Sequence, residues 1–126
     1  MKKIINSSLA PAPIGPYSQA VSFGNMLFVS GQICINQYTG NLTNQDIESE
    51  THQVMKNLDY ALKEAGFSFT DVVKSSIFVK DLSNFAAINS VYGEYFRINP
   101  PARETVEVSR LPKDVNVEIS VIAMKA

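Results

Sequence analysis

The sequence predicts a single α+β domain with two helices covering one face of a β-sheet. Two observations carry this. Two stretches keep an apolar stripe at helical spacing, and each ends in a stop signal, Gly66 for one and Asn99-Pro100-Pro101 for the other. The apolar residues between and around them instead alternate, or run unbroken, over strand-length segments. A chain of 126 residues suits one domain and one core.

Residues 8–16, "SLAPAPIGP", are too rich in proline for regular structure. A short strand from Tyr17 to about Phe23, a turn at Asn25 and a second strand, "MLFVSGQICI", follow. The Met26–Val29 run shows no alternation, so cover on both faces is expected. "NQYTGN" reads as a turn. From about Asp46 to Ala65, Val54, Leu58, Ala61, Leu62 and Ala65 line one side of a long helix, which Gly66 ends in a left-handed conformation.

"DVVKSSIFVKD" is a third strand, with Val73, Ile77 and Val79 on one face and Phe78 on the other. Ser83 is the expected N-cap of a second helix running to about Phe96, with the stripe Phe85, Ile88, Tyr92, Tyr95 and Phe96. Two last strands come from "ARETVEVS" and "NVEISVIA". The predicted order is ββ-α-β-α-ββ, mixed α+β. Two helices cover one sheet face only, and an apolar strand with an outward Phe78 on the other predicts a homo-oligomer.

The final strands hold the main chemical candidates. Arg103, Thr105 and Glu107 alternate with Glu104 and Val106, and Asn116, Glu118 and Ser120 alternate with Val117, Ile119 and Val121. A short connection, Arg110 to Asp114, predicts an antiparallel hairpin whose register matches polar face to polar face. Thr105 is then opposite Glu118, with Arg103 and Glu118 diagonal neighbours on the face turned away from the helices. Pattern alone favours a structural ion pair. The chemical alternative is a guanidinium fork for a carboxylate beside a water-handling acid.

Tyr17, held in a Gly-Pro turn, Asn89 on the apolar stripe and Gly31 in a strand are secondary candidates. Packing, backbone bonding and a bulge are their ordinary roles. One histidine, His52, gives poor support to a metal site or a serine triad, and no glycine loop cradles phosphate. Cys34, alone in an apolar segment, reads as a small buried hydrophobe. A single cysteine and a leader without an apolar core predict a cytoplasmic protein. With 11 basic and 12 acidic residues the balance gives no support to nucleic-acid binding.

Four stretches resemble the RidA (YjgF) family: "APAPIGPYSQAV", "FVSGQI", "VVKSSIFVKDLSNFAAINSVYGEYF" and "PPARETVEVSRLPKDVNVEISVIA". Together they span nearly the whole chain, and the last contains the family signature. The resemblance implies a chorismate-mutase-like fold, assembled as a homotrimer around a central β-barrel with ligand sites between subunits. It also implies a deaminase that hydrolyses 2-iminobutanoate and 2-iminopropanoate to 2-keto acids and ammonia without metal or cofactor. The substrates arise in pyridoxal-phosphate dehydratases.

In that reading Arg103 holds the substrate carboxylate and Glu118 handles water, with Tyr17, Gly31, Asn89 and Thr105 lining the cleft. Many members have a small residue after the arginine and a cysteine two after it. Here Glu104 and Thr105 stand there. The expected alternation puts Glu104 on the helix side, out of the cleft, and gives Thr105 the place of the thiol. Competing readings are a non-catalytic keto-acid sensor and, less favoured, an endoribonuclease or translation inhibitor.

Overall fold

The computed structural model describes residues 1–126. Its elements are β1 (Lys3–Ile5), β2 (Ala20–Phe23), β3 (Met26–Gln32), α1 (Ile47–Glu64), β4 (Val72–Val79), α2 (Phe85–Tyr95), β5 (Ala102–Glu107) and β6 (Val117–Met124). β1 was not expected. It pairs with β2 through Ile4 and Ile5, which are too few to signal a strand alone. The proline-rich lead-in is irregular as expected, and β2 starts at Ala20 rather than Tyr17.

α1 begins where Asp46 accepts a hydrogen bond from the Ser49 N–H at 2.7 Å, and Gly66 beyond its end has φ 80°. Its stripe of Val54, Leu58, Ala61 and Leu62 is fully buried. The second helix starts differently from expectation. Ser83 lies inside a 3-10 turn at Leu82–Asn84 that Asp81 caps by accepting from the Ser83 N–H, and α2 follows directly from Asn84, which makes no side-chain cap bond. Asp outranks Ser here because its carboxylate reaches the free N–H while its own backbone stays extended.

The six strands form one mixed sheet in the order β1-β2-β3-β6-β4-β5. β5 and β6 are therefore not a hairpin. β5 pairs parallel with β4, and β6 lies on β4's other side, antiparallel to both β3 and β4. The cause is α2. A helix between two strands is a crossover, which sets the second strand parallel to the first. β6 then crosses back into the centre, where Val117, Ile119, Val121 and Ala123 are buried under the helices. β5, whose Arg103, Thr105 and Glu107 row is polar, is left on the edge.

A shift in the β4 ladder at Val72/Lys74 puts Val72 in the core and turns Val73 outward, opposite to the expected alternation. The helices pack on the face bearing Leu27, Val29, Ile77 and Val79. The other face is open in the single chain. Ile4, Phe23, Phe28, Val106 and Met124 expose large apolar surface on it. Phe28 in the Met26–Val29 run is thus uncovered, and only a partner would cover it.

Candidate functional site

The site residues fall into two groups, and the sheet separates them. Arg103 pairs with Ser75, whose side chain is fully buried on the helix side. Its guanidinium lies 5.0 Å from the Tyr92 ring centroid and 5.7 Å from that of Phe85, both on α2. This is cation–π geometry, and it fixes a long side chain that an edge strand alone would leave loose. Tyr92 is held in turn, donating its hydroxyl to Ser75 Oγ at 2.8 Å. Asn89 is half-buried on α2, one turn after Phe85 and nearly one turn before Tyr92, so it shares their stripe beside Arg103.

Thr105 lies two residues along β5, level with Ile77 and on Arg103's face. Its Oγ1 is buried with no hydrogen-bond partner.

Glu118 belongs to the opposite face. It pairs with Phe78, three residues along β4 from the Arg103 level, and an odd offset reverses the side. Arg103 and Glu118 are therefore not diagonal neighbours, and Thr105 does not face Glu118. The expected assignment of β5 faces was inverted. The alternation itself was right, but the helices cover the Arg103–Thr105 row. Glu104 also changes place. It is on the open face, accepting a bond from Ser76 and paired with Lys74 at 3.0 Å, and these bonds hold its carboxyl below the usual range.

Around Glu118 is a cavity of about 390 Å³, lined among others by Pro11, Ile14, Tyr17, Gly31 and Pro112. Its rim is the proline-rich lead-in, strapped down by one buried side chain. Gln19 accepts from the Ser7 N–H at 2.7 Å and donates to the Ser7 and Pro11 carbonyls at 3.1 and 3.0 Å. The Ser18 carbonyl accepts from the Ser30 hydroxyl, which ties the strap to β3. Tyr17 is half-exposed on this strap, and its hydroxyl oxygen is the distant acceptor of the Ile14 N–H.

Burial raises the Glu118 carboxyl above its ordinary value of 4.5. No group in the chain bonds to it. An acid with a raised proton affinity, facing a cavity with free lone pairs, can take a proton from water.

Glu50 carries no motif, yet it sets where β6 begins. Fully buried in α1, it accepts from the backbone N–H groups of Asn116 and Val117 at 2.7 and 3.2 Å and from Asn116 Nδ2 at 2.8 Å. The polar residue placed two turns before Leu58 on the apolar side of the helix was its only signal. Cys34 is fully buried, and burial first, then the Glu50 charge, pushes its thiol up to about 11. It is not a nucleophile. His52 bonds the Tyr95 hydroxyl at 2.8 Å, away from both groups of site residues.

Residues 7–125 match the family model described as Endoribonuclease L-PSP. The chain belongs to the RidA (YjgF) family. A RutC family protein of Pyrococcus horikoshii is 51% identical over 125 residues, 99% of each chain. The crystal structure of the YjgF gene product of E. coli superposes with a TM-score of 0.94 at 43% identity, over 98% of this chain and 99% of that one. E. coli TdcF, solved with bound serine, gives 0.94 at 40% identity over the same shares. RidA relatives thus share this fold throughout, including the central β6 that the pattern of single strands misplaced.

Proposed function

We propose that this chain is a 2-iminobutanoate/2-iminopropanoate deaminase working at sites between the subunits of a homotrimer. The observation that carries the reading is the separation of Arg103 from Glu118 on opposite sheet faces. A carboxylate clamp and a water-handling acid so divided serve one small substrate only if each site takes one of them from each of two chains. The open apolar face supports such an assembly, and the bound serine of TdcF, a small molecule with the same carboxylate, supports a substrate of this class.

In this reaction Arg103 holds the substrate carboxylate with its fork and fixes the imine carbon near Glu118. Glu118 takes a proton from water, and the hydroxide adds to C2 as the C=N π pair moves onto nitrogen. Glu118 returns the proton to nitrogen. The C2 hydroxyl proton then passes through Glu118 to the nitrogen as the C–N bond breaks and the O–H pair becomes the ketone C=O, releasing ammonia and the 2-keto acid. The residues named move only protons and charge, so no redox step arises. Thr105 and Asn89 flank Arg103, and Tyr17 faces Glu118 across the cavity.

The test couples the protein to threonine dehydratase and follows loss of the imine in the presence of semicarbazide. Wild type speeds hydrolysis over buffer and Arg103→Ala does not. No acceleration by wild type sinks the enzyme reading. Binding of keto acids without turnover would favour the sensor reading.

A further inference from the structure

We infer that Gly31 is the seat of the Glu118 carboxylate, a positioning residue for the base of the proposed reaction. The inference rests on the role assigned above to Glu118. Gly31 does not adopt a left-handed conformation; the glycines with positive φ are Gly24, Gly40 and Gly66. Its backbone would accept any residue, and a glycine inside a strand costs stability unless something needs the room. The room is occupied. A Cβ on Gly31 would collide with Glu118 Oε2 and stand 2.9 Å from its Cδ and 3.1 Å from its Cγ.

The Glu118 side chain therefore lies flat across the bared backbone of β3. It does so at the irregularity between Val29 and Gln32, where the β3–β6 ladder shifts. Nothing else holds it, for Glu118 makes no hydrogen bond or ion pair within the chain. Shape alone keeps the carboxylate half-buried at the cavity wall, with its lone pairs free for water. The space a side chain would take at Gly31 is the space the carboxylate fills.

Gly31→Ala separates the two roles. If glycine seats Glu118, kcat falls about 100-fold, the scale of a displaced general base, while KM stays within about threefold. The double variant Gly31→Ala/Glu118→Gln is then no slower than Glu118→Gln alone. A rise in KM with kcat kept overturns the inference, as does a double variant whose losses multiply. If alanine lowers the melting temperature, Glu118→Ala in the same chain restores it, because the clash is with that side chain. Failure to restore it counts against the seat. A crystal structure of Gly31→Ala decides independently of activity: the Glu118 carboxylate is displaced, or it is found in place and the idea fails. A wild type without deaminase activity would remove the proposed reaction and leave this crystallographic comparison standing.

Discussion

Arg103 shows how much of a side chain's role depends on its neighbours. Tyr92 and Phe85 fix its guanidinium, and Ser75 fixes Tyr92. Tyr92→Phe keeps the ring and should leave KM within about threefold, losing about 1 kcal/mol of stability in denaturant titration with the hydroxyl bond. Phe85→Ala, at a partly exposed ring, should raise KM several-fold at unchanged kcat if Arg103 and Glu118 act as proposed, because it loosens Arg103 and leaves Glu118 untouched. Glu118 gives a pH test. Its carboxyl is raised by burial, so the folded chain holds that proton more tightly than the unfolded chain does. Its contribution to stability is therefore present below the unfolded carboxylate value and lost as pH rises through the raised one. Melting midpoints across that window should fall for wild type and stay flatter for Glu118→Gln. The rate, which needs the ionised form, should rise with pH over the same window, and Glu118→Gln should abolish that limb.

Elements are where sequence and structure diverge most instructively. α1 was legible because Asp46, an apolar stripe and Gly66 all report one local geometry. β5 and β6 were legible as strands, including which residues share a row, since alternation is also local. Their pairing was not. Sequence proximity argued for a hairpin, but the crossover through α2 bound β5 to β4, and the apolar run of β6 suited the sheet centre. The Glu50 clamp belongs to this scale, because it joins α1 to the first residues of β6. Glu50→Ala leaves two buried backbone donors unpaired and should cost about 3 kcal/mol, measured by chemical denaturation. Glu50→Gln keeps an acceptor and should cost less. Asp46→Ala, which removes only an exposed cap, should cost about 1 kcal/mol.

For the whole molecule, the open sheet face and the divided site make one argument. If each site combines Arg103 of one chain with Glu118 of another, Arg103→Ala chains are inactive alone and Glu118→Gln chains keep only a small residual rate. Trimers reassembled from an equal mixture should regain up to about one wild-type site in four, since random mixing brings the intact residues together at that frequency. No recovery on mixing would place both residues' work within one chain. Phe28→Asp puts a charge on the apolar face and should break the assembly into monomers by sedimentation, with activity lost. The lead-in strap and β1 were not legible at this scale. The strap depends on Gln19 finding the Ser7 and Pro11 backbone and β1 on pairing with β2, contacts that leave no periodic trace.

The sequence by itself determined the α+β class, the long helix, the residues on each row of β5 and β6 and, through its motifs, the family. These follow from backbone periodicity, capping and turn chemistry, which act over a few residues. Only the tertiary structure decided which row of β5 meets the helices, that Arg103 and Glu118 stand on opposite faces, and that Gly31 is bare because Glu118 lies on it. Strand order and sheet side are set by long-range crossovers and by which strand best fills the centre. A two-residue period fixes a residue's row; it cannot say which side of the sheet that row will face.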